Sequence, residues 1–443
     1  MSIETGESHG YFPRWTLKTK GVVLPEERLP AGQTVIAGLQ HVVAMFGSTV
    51  LAPLLMGFDP NVAILFSGVA TLIFFCVVGG RVPSYLGSSF AFIAVVAAAT
   101  GYAGQGPNGN IGLALGGIVA AGALYAAIGV LVAVGGHAWI ERLMPPVVTG
   151  AIVAVIGLNL APIAVKGISG SSFDTWVGLF TVVVVGLVAV YAPGVLGRIP
   201  ILLGAAASYV LYFVLANGMG LGKPIDFSGV ANAAWFGRPH FAAPVFDAHA
   251  IALIAPVAVI LVAENLGHIK AIGAMTGRSL DRYLGRAFIG DGIATMLSGA
   301  CGGTGVTTYA ENMGVMAVTR IYSTLIFIVA ALFAILLGLS PKFGALILTI
   351  PGAVIGGLSI VVFGLIAATA GRIWVENRVD FSQARNLVTV GATLTVGAGD
   401  LSLKLGGFTL GGIGTATFGA IILYALLGRG GARRAEDGDA LPR

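Results

Sequence analysis

Fourteen apolar segments follow one another along almost the whole chain, and this succession restricts the protein to a membrane-spanning fold. Hydrophobic residues make up 56% of the 443 residues and charged residues only 10%, whereas a soluble domain has roughly 25% charged residues. A helix needs about 20 apolar residues to cross the hydrocarbon core. We therefore predict an all-α polytopic membrane protein with segments at residues 31–57, 61–80, 85–100, 111–135, 145–165, 174–192, 199–219, 249–272, 286–300, 306–318, 320–339, 351–372, 384–399 and 408–427.

The placement of Lys and Arg along the chain supports this count. If the N-terminus lies in the cytoplasm, 19 of the 24 basic residues fall inside and five fall in outside loops, as the positive-inside rule expects. We therefore predict cytoplasmic tails at residues 1–30 and 428–443. The net charge of +5 then reflects topology, and we expect no nucleic-acid partner.

Two short segments look like copies of each other. Residues 88–92 read Ser-Ser-Phe-Ala-Phe and residues 307–311 read Thr-Thr-Tyr-Ala-Glu. They lie in the third and tenth apolar segments, which are too short to cross a membrane as plain helices. Other matches place Gln40 opposite Glu264, so each half holds seven segments. Seven is odd, so the second half enters from the opposite side. Such an inverted repeat with interrupted segments is typical of secondary transporters, whose binding site lies at the interruptions.

Few ionisable residues lie within the apolar segments, and a charge there is costly unless it has a function. Glu264 and His268 are spaced i, i+4, so they share one helix face. They form either a substrate-binding carboxyl that the imidazole orients or supplies with protons, which makes both residues candidates for proton coupling, or a structural pair that joins two helices. Glu311 follows the second interrupted segment, where a low dielectric would let a carboxyl exchange a proton. It is a candidate for substrate contact and proton coupling, and it could also cap the following helix.

The remaining candidates surround these acids. Phe90 and Tyr309 occupy equivalent repeat positions and could contact a flat ring ligand, although packing is the usual role of a membrane aromatic. Asp291 could move protons, but we expect it to give structural support, for instance by accepting hydrogen bonds from the backbone of segment ten. Gln40 and His41 are expected to support the site from the other half.

The motifs of several other function classes are missing from the sequence. The glycine-rich residues 302–305 are not followed by the Lys-Ser/Thr of a phosphate-binding loop. No metal-binding spacing of His and Cys occurs, and Cys76 and Cys301 suggest packing only. We therefore expect no metal and no cofactor other than the proton as coupling ion.

Residues 87–92, 263–268 and 307–316 together resemble the nucleobase–ascorbate transporter family, especially its bacterial uracil permeases. The likeness runs from about residue 39 to residue 428. Residues 24–30 and 406–419 resemble a subgroup found in bacterial pyrimidine-utilisation operons.

This resemblance implies a domain division. It implies a core domain of residues 31–135 and 249–339, a gate domain of residues 145–219 and 351–427, and short paired strands in segments three and ten. Homodimers and an elevator-like movement of the core are also implied.

The resemblance also implies roles for the site residues. Glu264 and Glu311 would accept the N–H groups of a nucleobase, with the backbone at Phe90 and Ala310 completing the contacts. Supporting roles would fall to His268 beside Glu264 and to Asn312 beside Glu311.

These observations together predict a proton-coupled importer of uracil, with thymine and xanthine as further candidates, in a bacterial inner membrane. The alternatives are a purine permease of the same family and an anion transporter of similar architecture. Two buried acids argue against anions. A membrane enzyme would need a nucleophile–base set or a metal cluster, and the sequence shows neither.

Overall fold

The computed structural model describes residues 10–102, 106–194, 196–405 and 408–438. Outside this part lie residues 1–9 and 439–443 of the predicted tails and residues 406–407, which belong to one of the stretches that carry the family resemblance. The strands are β1 (Thr16–Leu17), β2 (Glu27–Arg28), β3 (Leu86–Ser88), β4 (Val306–Thr308), β5 (Leu403–Leu405) and β6 (Phe408–Leu410). The helices are α1 (Ala31–Met56), α2 (Pro60–Val77), α3 (Ile93–Thr100), α4 (Ile111–Gly135), α5 (Ala138–Leu143), α6 (Pro146–Ile168), α7 (Ser172–Tyr191), α8 (Pro200–Phe213), α9 (Ser228–Asn232), α10 (Ala248–Ile254), α11 (Val257–Thr276), α12 (Leu284–Ala300), α13 (Ala310–Thr319), α14 (Thr324–Gly338), α15 (Pro341–Leu348), α16 (Gly352–Glu376), α17 (Ala384–Ala398) and α18 (Gly412–Gly438).

The helices confirm a mostly helical, multi-pass membrane protein. Within the described residues, eight helical spans are long and apolar enough to cross a membrane, and a ninth results if α14 and α15, bent by 79°, count as one. The apolar helices over Phe90–Thr100 and Gly412–Gly428 are shorter. The count of fourteen segments remains a prediction.

The helices pack in two groups. In the first group, α12 packs against α2 and α4, and α14 packs against α1 and α2. In the second, α16 packs against α6 and α7, and α17 packs against α6 and α18. Glycines allow the closest approaches: a Cβ on Gly122 would lie 2.8 Å from the carbonyl oxygen of Gly292, and one on Gly292 would lie 2.7 Å from that of Gly122. Small residues favour helix association inside membranes because they let backbones meet.

Two strands from distant parts of the chain pair inside the first group. β3 and β4 are antiparallel, with Gly87 opposite Thr307, and all six of their residues are buried. The amide of Ser89 donates to the carbonyl of Gly305 at 2.9 Å. Because the membrane interior offers no water, extended backbone survives there only when its polar groups bond to each other. β3 leads into a 3-10 turn over Phe90–Phe92 and then α3, whereas β4 leads into α13.

The N-terminal segment over residues 10–30 is folded against the first helix group, which the sequence did not predict. The Tyr11 hydroxyl donates to the carbonyl of Val77 at 2.9 Å, at the end of α2. Glu26 accepts two hydrogen bonds from the guanidinium of Arg278, at 2.7 and 2.9 Å. Val23 forms a parallel bridge with Ile321. This segment therefore ties together the ends of α2, α11 and α13.

Candidate functional site

Several of the predicted site residues, His268 among them, are at least partly exposed within a mostly buried neighbourhood. Ala310 is exposed and Glu311 and Glu264 are partly exposed, although Tyr309 and Asn312 beside them are buried. α11, which carries Glu264, packs against β4, α13 and the turn over Phe90–Phe92. The structure therefore brings the predicted site segments together near the ends of β3 and β4. We call the accessible surface of Ala310, Glu311 and Glu264 the opening.

Glu311 lies in the first turn of α13, directly after β4. The Ser48 hydroxyl in α1 donates a hydrogen bond to Oε1 of Glu311. The N-terminus of a helix carries partial positive charge and favours an anion there. The Glu311 carboxyl is also close enough to Glu264 for their charges to interact. Two carboxyl groups from different helices therefore face the same opening.

Phe90 lies at the boundary between the two helix groups. Its ring meets that of Phe363 in α16 edge to face, with the ring centroids 5.9 Å apart. The Ser89 hydroxyl accepts a hydrogen bond from the amide of Ala91 at 3.3 Å and so caps the turn that carries Phe90. The aromatic side chain is thereby fixed, and the backbone of the turn lies beside α11.

Tyr309 has a different environment from Phe90. Its hydroxyl donates to the carbonyl of Ser88 at 3.0 Å and accepts from the Thr49 hydroxyl at 3.2 Å. The side chain is 4% exposed, and its ring packs so closely against Gly87 that a Cβ there would lie 2.5 Å from Cζ. The Tyr309 ring therefore packs against β3. Packing was one of the two roles that the sequence allowed for this residue, the other being contact with a ligand.

A buried chain of hydrogen bonds runs away from the opening. Nδ1 of His268 lies 2.8 Å from the Thr308 hydroxyl, which donates to Oδ1 of Asn265 at 3.4 Å. Nδ2 of Asn265 donates to Oδ2 of Asp291 at 2.5 Å, and the Tyr125 hydroxyl donates to the same oxygen at 3.3 Å. A hydroxyl has one proton, so Thr308 accepts from His268, whose Nδ1 then carries the hydrogen. These five side chains form one connected polar network.

These hydrogen bonds bear on two predictions. Asp291 was expected to give structural support, for instance by accepting hydrogen bonds from the backbone of segment ten, and the hydrogen bonds that it accepts come from the side chains of Asn265 and Tyr125. His268 shares a helix face with Glu264 as predicted, yet its hydrogen bond is with Thr308. Sequence reasoning missed Thr308, Asn265 and Tyr125, because hydroxyl and amide side chains are common in these helices and their partners are distant in sequence.

Asn312 and His41 join α13 to α1. Nδ2 of Asn312 lies 3.0 Å from Nδ1 of His41 and donates to the His41 carbonyl at 3.0 Å. Both side chains are buried. Nε2 of Gln40 is buried and has no hydrogen-bond partner among the described residues. The hydrogen bonds of Asn312 and His41 beside Glu311 suit the supporting role that was expected for these two residues.

A cavity of about 760 Å³ lies away from these residues, between α4, α10 and α11 on one side and α17 and α18 on the other. Its lining is almost entirely apolar, and its two threonines, Thr393 and Thr415, donate their hydroxyl protons to backbone carbonyls of Thr389 and Leu410. This cavity lacks partners for a polar ring. In the described residues, no group of three or more His, Cys, Asp or Glu side chains could hold a metal ion.

Known proteins resemble this chain in sequence over nearly its whole length. The RutG protein of Escherichia coli (strain K12), named provisionally as a pyrimidine permease, is 65% identical over 422 residues, which cover 94% of this chain and 96% of RutG. The uracil permease of Bacillus caldolyticus is 39% identical, covering 92% and 95% of the two chains. The uracil permease of Escherichia coli (strain K12) is 37% identical, also covering 92% and 95%.

Solved structures share the fold at low sequence identity. The transmembrane domain of the cyanobacterial bicarbonate transporter BicA superposes with a TM-score of 0.60 at 17% identity, covering 89% of this chain and 97% of that one. The structure of SLC26A9 gives 0.62 at 13% identity, covering 89% and 64%. These likenesses concern the fold alone. In sequence, the profile of the family described as "Permease family" matches residues 32–406. This match and the relatives confirm the predicted family, so the chain belongs to the xanthine/uracil permease (nucleobase–ascorbate transporter) family of membrane transporters and is not an enzyme.

Proposed function

We propose that this protein imports uracil together with protons across a bacterial inner membrane, with thymine and xanthine as further candidate substrates. The observation that carries the proposal is the pair of carboxyl groups, Glu264 and Glu311, which are partly exposed and close enough for their charges to interact. The names of the relatives point to the same substrate class.

The chemistry of the pair fits a pyrimidine base. Uracil is a flat ring with two N–H donors and two carbonyl acceptors. Each carboxyl accepts one N–H group, while the backbone at Phe90 and Ala310 completes the contacts. A site built to hydrogen-bond such groups strongly rejects analogues that lack them. His268 supports Glu264 from the same helix face.

Proton coupling follows from the surroundings of the two acids. Within the part of the chain that the structure describes, the ion pairs of Lys and Arg involve neither Glu264 nor Glu311. Two neighbouring carboxylates in a medium of low dielectric repel each other, which favours a proton on one of them. A membrane potential supplies about 2.3 kcal/mol per charge per 100 mV, so one proton per substrate is enough to concentrate the base.

The predicted domain division belongs to this proposal. Fourteen segments form two inverted repeats, with a core of residues 31–135 and 249–339 and a gate of residues 145–219 and 351–427. The two helix groups support this division, since the site lies in the first group and Phe90 meets Phe363 of the second. The core carries the base past the gate in an elevator-like movement, the protein forms a homodimer, and both tails lie in the cytoplasm.

A purine permease of the same family is the alternative, since xanthine presents a similar hydrogen-bonding edge. The fold is shared with a bicarbonate transporter, but two carboxyl groups at the opening would repel an anion. Competition between unlabelled substrates distinguishes a uracil permease from a purine permease.

The test is uptake of labelled uracil in cells that lack their own uracil permeases, with and without an uncoupler and with unlabelled thymine, xanthine and urate as competitors. We expect uncoupler-sensitive uptake that pyrimidines compete for best. Glu311→Gln should lose proton-driven accumulation while keeping part of the binding. Glu376→Gln, at an exposed acid in the last turn of α16, is the matched control.

Two results would count against the proposal. Absence of uracil uptake by the wild-type protein would move the substrate to a purine. Full, uncoupler-sensitive accumulation by Glu311→Gln would remove Glu311 from the coupling step.

A further inference from the structure

Ser48 is a residue that neither the repeat nor the family resemblance singles out. It lies in α1 and is completely buried, and its hydroxyl donates a hydrogen bond to Oε1 of Glu311. The two residues are 263 positions apart. This is therefore a contact between the first half of the chain and a predicted substrate-binding carboxyl of the second half.

Many buried hydroxyls of this protein donate to a backbone carbonyl of their own helix, and the Ser48 contact differs from these. Serine and threonine in helices commonly bond to the carbonyl four residues earlier, and Ser359 in α16 does so, with its Oγ 2.7 Å from the carbonyl oxygen of Ile355. A hydroxyl has a single proton to donate. Ser48 gives that proton to a carboxyl on another helix, so its one donor is committed to Glu311.

The spacing of α1 and α13 does not depend on Ser48. Thr49 donates to the Tyr309 hydroxyl at 3.2 Å, and Asn312 donates to the His41 carbonyl at 3.0 Å. These two bonds hold α13 on either side of Glu311. Loss of the Ser48 hydroxyl would therefore free the carboxyl to rotate without moving the helix that carries it.

We propose that Ser48 is a positioning residue that holds Oε1 of Glu311 against α1 and so turns Oε2 toward the opening, where it accepts an N–H group of the substrate. The identity of that substrate rests on the proposed function. The orientation of the carboxyl does not, because it follows from a contact within the protein.

The test is a double-mutant cycle on the purified full-length protein, with uracil binding measured by titration calorimetry. Ser48→Ala should weaken binding about 10-fold, the scale of one hydrogen bond to a charged group. Ser48→Thr keeps the hydroxyl and should bind within about 3-fold of wild type. In a Glu311→Ala background, which leaves no acceptor for the Ser48 hydroxyl, Ser48→Ala should change the residual affinity by less than about 2-fold, since interacting residues are not additive. Ser359→Ala is the matched control for removal of a buried hydroxyl.

A second readout needs no ligand. The same cycle is measured as thermal unfolding midpoints of the ligand-free protein, where Ser48→Ala and Glu311→Ala should be non-additive. If wild-type protein fails to bind uracil, the proposed function fails while this cycle still tests the contact. Additive effects on the unfolding midpoints, or a Ser48→Ala variant that binds as Ser359→Ala does, would overturn the positioning role.

Discussion

Gly87→Ala tests the close packing between β3 and Tyr309 that shapes the candidate site. A Cβ at position 87 would lie 2.5 Å from Cζ of Tyr309 and 2.6 Å from its hydroxyl oxygen. The ring cannot simply move away, because its hydroxyl bonds to the Ser88 carbonyl and to Thr49. Either the strand pair opens or these hydrogen bonds break.

The cost of this substitution follows from three terms. Overpacking a tight interior costs about 1–3 kcal/mol, and a hydrogen bond lost from the Tyr309 hydroxyl adds about 1 kcal/mol. Replacing glycine in a strand by alanine returns roughly 0.5–1 kcal/mol through chain entropy. We therefore expect Gly87→Ala to lower the free energy of unfolding by about 2 kcal/mol.

The assay is reversible unfolding in mixed detergent–SDS micelles, followed by tryptophan fluorescence. Gly314→Ala is the matched control: it is a helical glycine of α13 whose added Cβ meets nothing within 4 Å, so it should stabilise the protein by up to about 1 kcal/mol. In a Tyr309→Ala background, the cost of Gly87→Ala should vanish. The reasoning is refuted if Gly87→Ala is as stable as Gly314→Ala.

Two further predictions concern stability. Asn265→Leu removes the amide donor that lies 2.5 Å from Oδ2 of Asp291, and it should lower the free energy of unfolding by about 2 kcal/mol in the same assay. Asn377→Leu is the control, because the Asn377 side chain donates to the carbonyl of Ile373 within its own helix. It should change the free energy of unfolding by less than about 0.5 kcal/mol. Burial acts to raise the pKa of Glu26, but the hydrogen bonds and charge of Arg278 outweigh it and lower the pKa. Glu26→Gln should therefore cost at most about 1 kcal/mol at neutral pH, as expected for a half-exposed ion pair.

The pH dependence of the Glu26 effect has a definite sign. A carboxyl whose folded-state pKa is lowered contributes stability above its ordinary value of 4.5, and that stability disappears as the pH falls through the folded-state pKa. Unfolding curves of wild type and Glu26→Gln should therefore converge in acid. If the stability difference between wild type and Glu26→Gln persists or grows in acid, the role given to Glu26 is wrong. Equal stability of Asn265→Leu and Asn377→Leu would contradict the prediction for Asn265.

Much of the site could be anticipated from the sequence, because the informative residues break a strong pattern. Glu264 and Glu311 stand out as acids within apolar segments, and the interrupted segments stand out by length and by their resemblance to each other. In the structure, residues 88–92 and 307–311 overlap the ends of β3 and β4. The family followed from the same motifs and is confirmed by the relatives.

The partners of these residues could not be anticipated. Ser48 and Glu311 are 263 residues apart, and Tyr125 and Asp291 are 166 apart. No local spacing encodes such pairs, and a serine or tyrosine in an apolar helix is ordinary. The folded segment at residues 10–30 escaped notice for a different reason: it is polar, and polar sequence before the first span is usually read as a tail.

The pairing of β3 with β4 has a consequence for how this protein is made. A ribosome adds about 5–20 residues per second, so β4 is synthesised roughly 10–40 s after β3. During that interval the backbone of Leu86–Ser88 has no strand partner, in a setting where each unbonded polar group costs several kcal/mol. Until β4 is available, we therefore expect the β3 backbone to stay hydrated, at the membrane surface or against the insertion machinery. The candidate site is consequently completed only after the second half has been inserted, so ligand binding would report that both halves are in place.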